Sequence, residues 1–170
     1  MDAAIDLSKM DPTFSKDIMA EPGGEHLQRC FACGICTASC PVREVTDRYD
    51  PRRIIHMALL GMREAVLSSD FIWLCSTCYA CQERCPQDVR ITELMNAIKN
   101  VAVKAGYLNP SFGTQVELLT NHGRLYDITG FENERRQEVG LPSIQEAAAD
   151  FGRIFELTGL QAIVQKNEEK

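Results

Sequence analysis

The sequence predicts an all-α fold in which two short cysteine-bearing loops sit between helices. Three observations predict it. Apolar residues recur at helical spacing in several separate stretches. The pairs Asp11-Pro12 and Asp50-Pro51 each set a side-chain acceptor before a residue suited to the first helical position. All eight cysteines fall in two runs, and helical patterns follow both.

Residues 1–28 show no strand alternation. A short helix from Pro12 to Met19 is expected, with Phe14 and Ile18 on one face and a stop near Pro22-Gly23-Gly24. Either this stretch is a frayed arm or it docks on a partner. The first cysteine run follows, and Pro41 halts any helix forming there. After Asp50-Pro51, residues Ile54, Ile55, Ala58, Leu59, Met62, Ala65 and Val66 fall at helical spacing, which predicts one amphipathic helix of about four or five turns. Met57 and Met62 read as core filler. Trp73 precedes the second run, where an indole can shield a redox centre from water.

Beyond the second run the chain turns at Gln87-Asp88. Thr92 is expected to cap a helix over 93–104, with Leu94, Met95, Ile98, Val101 and Ala102 inward and Gly106 as the stop. A further helix over 111–121 turns Phe112, Val116 and Leu119 inward and closes at His122-Gly123, the histidine serving as a favourable end contact. Residues 124–142 read as an irregular charged loop. Ser143 and Glu146 form a capping-box pattern ahead of a last helix carrying Ala147, Phe151, Ile154 and Phe155, ended near Gly159. The tail from Lys166 to Lys170 is expected to be disordered. The implied organisation is an N-terminal arm over 1–27, a central domain over 28–108 and a helical extension over 109–170.

The cysteine runs read Cys30-x-x-Cys33-x-x-Cys36-x-x-x-Cys40-Pro41 and Cys75-x-x-Cys78-x-x-Cys81-x-x-x-Cys85-Pro86. Three thiolates at two-residue intervals can come from one loop wrapped round a four-iron cube, and the fourth must arrive from elsewhere. This is the bacterial ferredoxin spacing, in which the fourth cysteine serves the other cluster. The expected ligands are therefore Cys30, Cys33, Cys36 and Cys85 for a first 4Fe–4S cluster. Those of a second are Cys75, Cys78, Cys81 and Cys40. Crossed ligation makes the clusters near neighbours able to pass single electrons. Small residues between the ligands, Ala32 and Gly34, let backbone amides approach the sulfurs. Zinc sites would use Cys-x-x-Cys pairs rather than triplets, and a disulfide framework would need a secretory context.

Composition excludes other classes. The formal charge of −6 repels phosphate backbones, so nucleic acid is not an expected partner. No apolar run approaches about 18 residues, so no membrane insertion is expected. The acidic start, Met1-Asp2-Ala3, lacks a basic and apolar leader pattern, and a cytoplasmic location is expected. His26, His56 and His122 stand far apart, and no glycine-rich loop for flavin or nicotinamide is present.

The stretch from Trp73 through Cys75-Ser76-Thr77-Cys78-Tyr79-Ala80-Cys81 to Cys85-Pro86 resembles the second motif of the C-type subunits of heterodisulfide reductase. Ala58-Leu59-Leu60-Gly61 and the segment from Ala102 to Tyr107 add to the resemblance, which spans residues 28–108. It implies a helical ferredoxin-like fold and the role of a non-catalytic electron-relay subunit. Electrons would pass from a flavin-bearing A-type subunit, itself fed by a hydrogenase or formate dehydrogenase, to a B-type subunit that reduces a disulfide. The competing readings are the iron–sulfur subunit of a succinate or glycerol-3-phosphate dehydrogenase and a free ferredoxin. The first two need further cysteines that the chain lacks, and the third leaves the helical extensions without purpose.

Overall fold

In the computed structural model, residues 6–145 and 151–160 are described, and among them helices and turns account for all regular structure. Backbone proximity divides the chain into two units, residues 1–107 and 108–170. The first holds both cysteine runs.

Its central element is the helix α7, taking the labels α1 (Phe14–Met19), α2 (Ile35–Ala38), α3 (Pro41–Val45), α4 (Pro51–Leu59), α5 (Arg63–Leu67), α6 (Ala80–Glu83) and α7 (Ile91–Lys104) in chain order. Leu94, Met95, Ala97, Ile98 and Ala102 line the buried face of α7, against which α1, α5 and α6 pack. The expected stop is present. Gly106 adopts φ +84°, its amide donates to the Val103 carbonyl, and that of Tyr107 reaches back to Ala102 at 2.8 Å, the paired bonds of a Schellman ending. Thr92 is not the cap. The helix starts two residues earlier than a cap there would allow, after Arg90, and Thr92 is buried in its first turn.

Asp50 does cap α4, accepting from the Arg53 amide at 3.0 Å, and Pro51 takes the first helical position. The single long helix expected beyond it is two helices. At Gly61 the backbone turns left-handed, φ +77°, and the Asp11 amide donates to the Gly61 carbonyl at 2.8 Å. A Cβ there would lie 2.4 Å from the Asp11 carbonyl oxygen, so only glycine fits. The apolar periodicity survives the break because α5 returns Val66 and Leu67 to the same core.

Within the stretch expected as an arm, α1 is packed into this core. Phe14 and Ile18 are fully buried, and α1 rests on α4 and α7. Arg63 pairs with Asp11 and Asp17 and lays its guanidinium 4.9 Å from the Phe14 ring centre. Burying two such side chains contributes roughly 1.5–3 kcal/mol each towards holding α1 in place.

The second unit contains α8 (Pro110–His122), α9 (Gly130–Glu138) and α10 (Phe151–Thr158). Asn109 caps α8 by accepting from the Ser111 amide at 3.0 Å. Val116 and Leu119 are half-buried as expected, but Phe112 is 39% exposed. The stretch read as an irregular loop contains α9, opened by a capping box in which the Thr129 amide donates to Glu132 at 2.8 Å. Phe155 is buried, whereas Ile154 is exposed. Glu146, Ala147 and the tail from Lys166 lie outside the described residues.

Candidate metal centre

Each cysteine run folds as a tight loop followed by one turn of helix, and the two loops are conformational copies. Left-handed residues occupy the second and fourth places after the first cysteine. They are Ala32 (φ +65°) and Gly34 (+85°) in one loop, and Thr77 (+52°) and Tyr79 (+64°) in the other. Alternation of this kind turns successive backbone N–H groups towards one side and makes a concavity that favours an anion. The shared feature is therefore the conformation and not small side chains, which only the first loop has. A β-branched threonine and a tyrosine held left-handed carry strain.

The loops bring the thiols into two sets. Cys30, Cys33, Cys36 and Cys85 line one cavity, together with Phe31, Ile35, Val89, Ile91 and Arg52. Cys85 thus reaches the first loop from the second run. In the other set, Cys40, Cys75 and Cys78 all act electrostatically on Cys81, and Cys40 comes across from the first run. Cys36 and Cys81 also lie within electrostatic range of each other, and α2 packs on α6, so the sets adjoin. Cys33 and Cys78 are exposed, while Cys36, Cys40 and Cys81 are buried.

Burial decides the protonation of the inner thiols. Desolvation pushes Cys36 up to about 11 and raises Cys81, against a hydrogen bond from Thr92. Without a cation these sulfurs stay neutral, and bound iron would displace the protons. Among the described residues no three Cys, His, Asp or Glu side chains close around a single-ion site. Four thiols spread round a cavity suit a cluster in which each iron takes one sulfur, rather than one ion taking all four.

Several polar groups meet the sulfurs without any sequence motif to announce them. The Val89 amide donates to Cys85 at 3.5 Å, and the Thr92 hydroxyl lies 3.8 Å from the Cys81 sulfur. Tyr49 is almost fully buried beside the second set; burial first, then the Cys75 thiol, raises its pKa. Only a search for buried polar side chains next to the runs could have found these. Trp73 is half-buried against the core. The histidines take no part in the sets: His26 meets the Asp88 carbonyl at 2.9 Å, His56 is exposed, and His122 lies 3.4 Å from Asp127. Among the described residues no helix is long and apolar enough to cross a membrane.

Comparison with known proteins agrees with this geometry. Residues 26–89 match the 4Fe–4S dicluster domain. The C subunit of the H(2):CoB-CoM heterodisulfide,ferredoxin reductase of Methanothermobacter thermautotrophicus is 35% identical over 167 residues, covering 94% of this chain and 89% of the relative. The iron-sulfur C subunit of the CoB--CoM heterodisulfide reductase of Methanopyrus kandleri is 31% identical, over 98% of this chain and 89% of its own. The C subunit of the Ferredoxin:CoB-CoM heterodisulfide reductase of Methanosarcina mazei is 37% identical over 75% of this chain and 78% of its own. Eight cysteines in the matched region and the dicluster domain together provide for two 4Fe–4S clusters.

Proposed function

This chain belongs to the family of heterodisulfide reductase C subunits, and on that premise we propose that it is the electron relay of such a complex. In this reading single electrons enter from a flavin-bearing A-type subunit and leave to the B-type subunit that reduces the disulfide. A hydrogenase or formate dehydrogenase module would feed the flavin-bearing partner. The CoB–CoM disulfide in the relatives' names is the substrate class that fits, and the complex would work in the cytoplasm.

The observation that carries the reading is the gathering of all eight thiols into two adjoining sets of four. We assign Cys30, Cys33, Cys36 and Cys85 to the first cluster, and Cys75, Cys78, Cys81 and Cys40 to the second. When bound, each cluster supplies a one-electron couple. The protein's own residues do the rest. The left-handed loops hold the concave amide face, the core excludes water from Cys36, Cys40 and Cys81, and exposed Cys33 and Cys78 mark where each set comes nearest a partner. With every thiol committed to a cluster, no redox-active thiol pair remains for disulfide chemistry of the chain's own, which fits a relay rather than a catalytic subunit.

Anaerobically prepared protein tests this directly. About eight irons per chain are expected, with paramagnetic signals on reduction; stoichiometric zinc instead would end the relay reading. Cys40→Ser should damage the second cluster and spare the first. Loss confined to the set containing Cys30 would refute the crossed assignment. Reduced chain mixed with its disulfide-reducing partner should reoxidise only when the disulfide is present.

A further inference from the structure

Among the described residues, Arg52 is the one charged side chain that borders the cavity of Cys30, Cys33, Cys36 and Cys85; the rest of that lining is apolar or uncharged. Arg52 is the second residue of α4, and its backbone amide donates to the Thr37 hydroxyl at 3.2 Å, which fixes where the side chain leaves the helix. From there the stem lies over the first cysteine loop. A Cβ added to Gly34 would meet the Arg52 Cδ at 3.9 Å, an ordinary contact distance. No carboxylate of the described residues stands within ion-pair distance of the guanidinium. Asp50, near enough to feel its charge, already accepts from the Thr37 hydroxyl at 2.6 Å and the Arg53 amide at 3.0 Å. In the second half the matching place, second in α7, holds Thr92, uncharged and buried. The place matching Gly34 holds Tyr79. The first half thus joins a glycine that leaves room to an arginine whose stem uses it.

We propose that Arg52 is a positioning residue for the first cluster, a fixed positive charge at its cavity that favours the reduced form. The inference rests on the relay reading and on the assignment of Cys30, Cys33, Cys36 and Cys85 to one cluster. Reduction adds one electron, and therefore one negative charge, to a cluster and its sulfurs. A cation held beside the cavity lowers the energy of that added charge and so raises the reduction potential. A guanidinium stays protonated throughout the working range, so the charge is permanent. Arg52 is exposed, and solvent and salt screen it, which keeps the effect modest. Arg43 and Arg84 border a separate groove beside Cys40, outside the first cavity, so a change at Arg52 acts mainly on the first cluster. The step remains a one-electron transfer with no bond made or broken.

The test is an anaerobic redox titration of the full-length, iron-loaded chain, followed by electron paramagnetic resonance, with a dithionite-class reductant supplying electrons. The couple of the first set is identified as the one that survives in Cys40→Ser. Arg52→Gln keeps the backbone bond to Thr37 and should lower that couple by about threefold in its reduced-to-oxidised ratio, or about 28 mV for one electron. Arg52→Glu changes the charge twice as far and should lower it by about ninefold, or about 56 mV. Arg52→Lys, which keeps the charge, should hold the couple near its wild-type place, and the other couple should move less than half as far in every variant. The difference between wild type and Arg52→Gln should shrink as salt rises towards 1 M. Full iron content with an unmoved first couple, with both couples shifted alike, or with Arg52→Lys displaced as far as Arg52→Gln would overturn the proposal and leave the relay reading intact. Wild-type protein that takes up no iron would sink both. Should Arg52→Gln fail to load the first cluster, Arg52→Met keeps the stem over Gly34 and takes its place in the titration; failure of both to load would make the residue structural and overturn the charge role.

Discussion

Replacing Gly61 by alanine tests how firmly the N-terminal helix is fastened to the cluster-bearing core. The substitution forces an L side chain into a left-handed conformation, φ +77°, which costs roughly 1–2 kcal/mol. The new Cβ would stand 2.4 Å from the Asp11 carbonyl oxygen and 3.0 Å from its nitrogen, distances at which the backbone must give way. Giving way lengthens the 2.8 Å hydrogen bond from Asp11 to Gly61, a further loss of about 1 kcal/mol. The expected destabilisation is therefore roughly 2–3 kcal/mol, or about 10–20 °C in Tm for a unit of this size. Denaturant titration and calorimetry of the iron-loaded protein would measure it. Gly113→Ala is the matched control, because nothing lies within 4 Å of its Cβ and a helix interior gains about 0.5–1 kcal/mol from the exchange. A loss below about 0.5 kcal/mol for Gly61→Ala would show that Asp11 is not held against this turn and that residues 11–19 are not part of the first core.

Other outcomes follow from the same geometry. Asp50→Ala removes the cap of α4 and the acceptor of Thr37 together, so a loss of about 2 kcal/mol is expected by chemical denaturation. Asp11 is held down to about 2 by the Thr13 hydroxyl and amide and then by Arg63. A depressed carboxylate stabilises fully above its unfolded value, about 3.9, and that contribution fades as pH falls from there through about 2, which a carboxyl-carbon NMR titration of Asp11 would show. In iron-free protein at pH 8, iodoacetamide should modify exposed Cys33 and Cys78 well before buried Cys36, whose thiol is pushed up to about 11; peptide mass mapping reads the order, and equal rates would contradict the burial. Thr92→Val should leave the melting temperature within about 2–4 °C, because an isosteric apolar group replaces a buried hydroxyl whose neighbour is a sulfur.

Much of this architecture is legible in the chain itself. Asp50-Pro51 opens a helix and Gly106 closes one, because caps and stops are local chemistry that two or three residues can state. The cysteine spacing announces the loops for the same reason. The break at Gly61 is invisible, because α5 resumes on the same core and keeps the apolar rhythm unbroken across the turn. Thr92 looks like a cap because its type suits one, yet the helix begins sooner and the side chain faces Cys81. Thr129 and Glu132 carry the same capping signature as Ser143 and Glu146, but the charge density around them suggests a loop. Tyr49 cannot be singled out from sequence at all.

The exchange of one thiol between the halves reaches beyond redox chemistry. Cys85 closes the cavity of the first loop, and Cys40 stands with the second. Iron seated in both places would lace two distant stretches of polypeptide together twice, shrinking the freedom of the unfolded chain as a pair of clasps does. Assembly of either centre then requires both halves to be present, so a proteolytic cut between residues 60 and 70 would cost the chain both centres rather than one.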